Sequence, residues 1–210
     1  MAPVACAVEG PTDEPVARRL LAEAGLQAGP FKLAGGKSGI DKDLRRWNVS
    51  AARRPWLVIR DLDHDDLEHC IPALRSLLLG NTPARDGMCF RLAVRSVEAW
   101  LIADHEGFRS YFRLRRSRMP DDIDAIEDPK SELIDRCRRS MSRDIREGIP
   151  PVRGSGRSIG PEYVAIVGEY CQDHWNPQQA RTRSPSLDRA LKDLDRLRVW
   201  LGHRSPESTA

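Results

Sequence analysis

Disulfide chemistry is the first thing this sequence lacks. Its cysteines (Cys6, Cys70, Cys89, Cys137, Cys171) are odd in number, scattered, and form no Cys-x-x-Cys pair. That excludes a disulfide framework and makes a reducing cytoplasm the default location. Cys171 and His174 stand three apart, but without a partner pair they make no zinc site. Long apolar runs are missing too. None approaches the ~20 residues of a membrane span, so no membrane partner is expected. The opening MAPVACAVEG has no basic region before its short apolar stretch, unlike a signal peptide. Aromatics are only 6% of the residues, and there is no internal repeat. A large excess of one charge is absent as well: 34 Lys/Arg face 31 Asp/Glu, a net +3, so the whole chain is not a polycation.

The charge that is present is uneven. Residues 1–106 carry 14 Lys/Arg against 15 Asp/Glu, residues 107–157 carry 13 against 9, and residues 158–210 carry 7 against 7. Acids lead and a basic stretch follows, which suits a metal site beside a phosphate-binding surface. A solvated Arg-rich helix face would give the same counts.

The most informative stretch is Pro55–Asp66, PWLVIRDLDHDD. The unbroken apolar run Trp56–Ile59 reads as a strand buried on both faces of a parallel sheet. It then delivers Asp61 and Asp63 to the edge where open α/β sheets bind ligands. In extended backbone, residues two apart point the same way, so the pair is expected to share one cation. Two close, unneutralised carboxylates would repel each other, so the arrangement asks for a metal or a shared proton. A polar strand-to-helix turn, with Asp63 or Asp65 as N-cap, is the plain alternative.

In chain order, Val4–Val8 reads as another buried strand ending at Glu9-Gly10. A helix follows with Thr12 as N-cap and Val16, Leu20, Leu21 and Ala24 on one face. Phe31–Ala34 reads as a short strand. Gly35-Gly36-Lys37-Ser38 imitates the end of a P-loop, but Phe31 stands where that motif needs its first glycine. A turn into a helix over Ile40–Ala52 is expected there, with Lys37 at most an anion contact. A helix over Leu67–Leu79, a strand over Met88–Val94 and a helix capped by Ser96 follow. Beyond residue 105 the pattern turns helical over Lys130–Ser140, Glu162–Trp175, and a last leucine-rich helix capped by Ser186. The fold class is therefore α/β: a mostly parallel sheet flanked by helices, with a mainly helical C-terminal extension. The expected organisation is a core over 1–105, an Arg-rich helical extension over 106–202, and a tail over 203–210.

Three strand ends then offer oxygen donors on one edge of the sheet: Glu9 and Asp13, Asp61 and Asp63, and Glu98. Such a set suits Mg²⁺ or Mn²⁺ better than Zn²⁺. Asp13 and Glu98 also fit as first-turn acids that favour a helix dipole.

The strings VEGPTDEP (8–15), RDLDHDD (60–66) and RSVEAWLIAD (95–104) resemble, in order, the Toprim fold of topoisomerases, primases and overcoming-lysogenization-defect (OLD) nucleases. The longer string EAWLIAD…DPKSEL…RGSGRSIGPEY…RSPSLDRAL is similar to a bacterial Toprim-like family often encoded beside ATPases and suspected in phage defence. The resemblance implies a Mg²⁺- or Mn²⁺-dependent endonuclease that hydrolyses DNA or RNA phosphodiesters with an ATPase partner. It implies Glu9, Asp61 and Asp63 on one metal, Asp13 and Glu98 on a second, and Lys130 offsetting phosphoryl charge. Glu9 would thus be both ligand and catalytic group. The three tyrosines (Tyr111, Tyr163, Tyr170) have no nucleophile context, which argues against strand passage.

Nucleic-acid contacts are expected from Arg113 and Arg116, and from Arg153 and Arg157, which flank Gly154-Ser155-Gly156. The rival reading is a non-catalytic subunit that keeps the fold and binds an ATPase or nucleic acid.

Overall fold

The computed structural model describes residues 2–65, 70–115 and 119–204. Four strands, β1 (Val4–Val8), β2 (Ala28–Leu33), β3 (Trp56–Asp61) and β4 (Met88–Ala93), form one sheet in the order β2-β1-β3-β4. Every neighbouring pair is parallel. The central strands β1 and β3 are the two apolar runs with no polar break, because both of their faces are covered.

The chain leaves β1 for β2 on one side, then returns past β1 to β3 on the other. Right-handed crossovers require the two connecting helices to lie on opposite faces. They do. α1 (Asp13–Glu23) packs Val16, Leu20 and Leu21 with Val4, Cys6 and Val8. α2 (Lys37–Ser50) packs Ile40, Leu44 and Trp47 with Ala7 and Val58. α3 (Ile71–Leu78) joins α2's face through Leu74.

The remaining helices are α4 (Val97–Ala103), α5 (His105–Tyr111), α6 (Pro129–Cys137), α7 (Arg143–Gly148), α8 (Tyr163–Glu169), α9 (Pro177–Ala180) and α10 (Pro185–His203). A single π-turn, Tyr170–His174, continues α8. One buried cluster runs from Val4 through Trp100 and Tyr163 to Leu201, so these helices share α1's face of the sheet. α4 is buried over its whole length, Glu98 included. Two tryptophans lock it. Trp100 Nε1 donates to Ser186 Oγ at 2.8 Å, and Trp175 Nε1 donates to the Trp100 carbonyl at 3.2 Å.

Several expected boundaries shift for physical reasons. β2 begins at Ala28 rather than Phe31, because Ala28 already pairs with Val4 of β1 and Gly29-Pro30 forms an irregular step on the outer edge before Phe31 pairs with Cys6. A proline is tolerated on an edge strand, and it also blunts that edge against stray pairing. α2 begins at Lys37 rather than Ile40. Gly35 and Gly36 take positive φ, and a Cβ at Gly39 would collide with the Ala34 carbonyl, so glycines let the turn close three residues early. Ser184, not Ser186, caps α10: its Oγ accepts from Leu187 N at 3.3 Å, with Pro185 as first helical residue. Ser186 serves Trp100 instead. Thr12 makes no side-chain cap to α1. Leu67, the expected start of the third helix, lies outside the described residues, as do Asp66 and the tail from 205 onward.

Candidate active site

β1 and β3 lie side by side, and the chain reverses direction across the sheet between them. A crevice at the carboxyl end of such a switch point is where open α/β sheets bind ligands. Glu9 leaves β1 there and Asp61 ends β3. The Asp61 N–H donates to Glu9 Oε1 at 2.8 Å, tying the two strand ends together. Asp61 Oδ1 accepts from Val97 N at 3.0 Å, at the start of α4. Asp13 Oδ2 accepts from Gly10 N at 2.8 Å, which folds the β1–α1 turn back on itself.

Glu98 comes from α4 and is 1% exposed. Its Oε1 accepts from the Tyr163 hydroxyl at 2.9 Å and faces Lys130 Nζ at 3.4 Å. Its Oε2 is buried without a hydrogen-bond partner. A buried carboxylate oxygen left unmatched is costly, and such an atom marks a place for a cation or water.

The electrostatics show which groups face each other. Burial raises Asp61 well above the usual carboxylate range, and repulsion from Glu98, Asp13 and Glu9 adds to it. Asp13 is pushed up to about 7 by burial, with Glu98 and Glu9 adding to the shift despite the Gly10 bond. Glu9 is raised, again mainly by burial. Burial alone would lower Lys130, but Glu98, Asp61 and Asp13 outweigh it and hold the ammonium charged. Four of the five expected acids and Lys130 therefore share one electrostatic neighbourhood.

Asp63 departs from its expected place. It does not extend β3: it sits in a turn with φ 49°, so the rule that residues two apart face the same way no longer applies. Its carboxylate meets Lys37 Nζ at 2.9 Å, and Lys37 also reaches Asp65 at 3.1 Å. Asp63 N donates to the Arg95 carbonyl at 2.9 Å, while Arg95 Nη1 donates to the Asp63 carbonyl at 2.6 Å. Arg95 is itself left-handed, φ 59°. Two non-glycine residues in this sparsely populated region, bonded to each other at the mouth of a pocket, are strain of the kind that clusters at functional sites.

Asp61, Asp63, Lys37, Arg95 and Lys130 line a cavity of about 830 Å³ above the strand ends. Glu9, Asp13 and Glu98 stand behind its lining. Donor chemistry fits a hard divalent cation: every acid offers oxygen, and one buried oxygen has no partner. As the side chains lie, no group of three or more His, Cys, Asp or Glu among the described residues is placed to hold a metal ion.

The expected arginines do not join this site. Arg153 and Arg157 are exposed on the loop before α8, where Gly154 and Gly156 take positive φ. Arg113 lines a separate hollow with Glu106, Arg109 and Met141. Arg116 lies outside the described residues.

Sequence reasoning missed Tyr163, which reaches Glu98 across 65 positions, and underrated Lys37. It also missed Arg60, a 3% exposed guanidinium that binds Asp41 at 2.7 Å and Asp65 at 2.6 Å beneath the pocket. The run of acids after β3 was the available signal for Arg60. Nothing in the sequence signalled Tyr163.

The fold and site together define a class: a four-stranded parallel α/β protein with an acidic pocket at its switch point. Comparison with family models, curated proteins and solved structures finds no match to the chain.

Proposed function

We propose that the protein is a Mg²⁺- or Mn²⁺-dependent hydrolase of nucleic-acid phosphodiesters. The observation that carries this reading is the meeting of Glu9, Asp13, Asp61 and Glu98 with Lys130 at one switch point, with Glu98 Oε2 unmatched. Asp61 and Glu98 would hold the ion, with Glu9 beside them. When bound, a divalent ion supplies an activated water and neutralises phosphoryl oxygens.

The chain's own residues do the rest. Tyr163 fixes the rotamer of Glu98 from one side. The Asp61 and Val97 N–H groups hold Glu9 and Asp61 at the strand ends. Lys130, charged and partly open to solvent, faces the same space and would offset charge on a phosphoryl oxygen. Lys37 and Arg95 at the mouth add positive charge where a polyanion would enter.

Purified protein with Mn²⁺ should nick plasmid or cleave RNA, and Asp61→Asn should abolish this. Equal cleavage by both proteins would refute the reading. The rival reading, a binding subunit with no reaction of its own, draws on Glu98 Oε1 being already matched by Lys130 and Tyr163. Retained nucleic-acid or ATPase binding without cleavage would favour it. Pairing with an ATPase, a defence role and a cytoplasmic location rest on the motif resemblance and the absence of a cysteine framework. Among the described residues no helix is long and apolar enough to cross a membrane.

A further inference from the structure

A second large cavity, away from the acidic pocket, is walled by α3, β4, residues 84–86 and one side of α10 from Arg189 to His203. It encloses about 880 Å³, within the ~300–1,000 Å³ typical of small-molecule sites. Its walls carry more guanidiniums than carboxylates.

Arg91 lies midway along β4, on the face shared by Cys89 and Ala93. Its side chain is only 11% exposed. Nη1 donates to Asp193 Oδ2 at 2.8 Å, but Nε is buried with no acceptor. Arg75 arrives from α3, on the other face. Its Nε donates to the Phe90 carbonyl at 3.0 Å. Burial lowers Arg75 below its ordinary value, and Arg91 adds to the shift. Arg196, from α10, shares the one carboxylate of Asp193 at 2.8 Å.

Three guanidiniums thus converge on a cavity, and Asp193 serves two of them. A buried charged donor without an acceptor is costly, and such a group marks a place where an acceptor would bind. Guanidinium forks match the tetrahedral oxygens of phosphate.

We propose that this cavity binds a phosphate group through Arg91, Arg75 and Arg196, carried either by inorganic phosphate or by a mononucleotide. The cavity has room for the larger molecule, and Trp200 gives it an apolar wall. The proposal is independent of the acidic pocket, which without a cation repels phosphate.

The test is calorimetric titration of the full chain, with chelator present, using inorganic phosphate and adenosine monophosphate as separate probes. Saturable binding of at least one probe is expected. Equal affinities indicate a free-anion site, and tighter nucleotide binding a nucleotide site; either supports the proposal. Arg75→Gln and Arg91→Lys should each raise Kd about tenfold or more, equivalent to ~1.4 kcal/mol. Arg196→Gln changes a side chain that is 77% exposed and should weaken binding about threefold. Arg46→Gln, on α2, removes a charge elsewhere and should change nothing. No saturable binding at millimolar probe, or unchanged affinity in the Arg75 and Arg196 variants, would overturn it.

Discussion

The backbone N–H of Asp61 donates to the carboxylate of Glu9 at 2.8 Å, although 52 residues separate them in the chain. This bond makes two strand ends into one site. It leaves Asp61's own side chain turned to Val97 and the other acids. The hydrolase reading grows from this juxtaposition.

Removing one carboxylate should remove the cation. A ligand that binds only the folded state stabilises it by ~2.7 kcal/mol at one hundred times its Kd. Excess Mn²⁺ should therefore raise the melting temperature of the wild type, and Asp61→Asn or Glu9→Gln should lose most of that rise. Hydrolysis should fall at least about 100-fold in each, since the ion supplies several kcal/mol to the reaction. Differential scanning fluorimetry and plasmid nicking check the two effects separately.

The pH dependence has a definite direction. Burial pushes the Asp13 carboxyl up to about 7 in the folded chain, from an ordinary value of 3.8. The folded state therefore binds the extra proton between those values. Without a cation, the stability this group contributes is full below the unfolded value and is lost as pH rises through the folded one. Asp61, also raised, acts in the same sense. With chelator present, urea midpoints should fall from pH 5 to pH 8, and Asp13→Asn should flatten the slope. A wild-type midpoint that rises over this interval would contradict the assignment.

Tyr163→Phe deletes only a hydroxyl, yet that hydroxyl satisfies a buried carboxylate. Hydrogen bonds to charged groups contribute about 1.5–3 kcal/mol. Chemical denaturation should show a loss of about 2 kcal/mol. Glu98→Gln should make the hydroxyl's removal nearly harmless, because the charge that needs it has gone. A double-mutant cycle reads this coupling.

Arg60 is a structural cation under the pocket. Its guanidinium makes two bonds to Asp41 and one to Asp65 while only 3% exposed. Arg60→Met would strip Asp41 of this partner and leave Asp65 with Lys37 alone. Breaking such a pair costs about 3–5 kcal/mol. The low end is expected here, since each carboxylate retains 29% exposure. Asp41→Asn should cost less, because Asp65 still matches the guanidinium.

The sequence was informative where burial imposes a pattern. The apolar runs at Val4–Val8 and Trp56–Ile59 can only be strands covered on both sides, and their carboxyl ends located Glu9 and Asp61. β2 was harder: an edge strand is wetted, so Gly29 and Pro30 look like a turn. Asp63 was placed wrongly because a single left-handed residue breaks the two-residue alternation, and no side-chain pattern announces that. Lys130 was found only through the DPK string of the resemblance. Its contact with Glu98 depends on how α6 packs on α4, which local periodicity does not encode. The partnership of Tyr163 with Glu98 is likewise tertiary.

A crystal soaked in Mn²⁺ and measured for anomalous scattering tests the central claim most directly. The account predicts a peak between the Asp61 and Glu98 carboxylates, within reach of Glu9, that is absent from Asp61→Asn crystals. A peak held instead by Asp63 and Asp65, or none at saturating Mn²⁺, would contradict it.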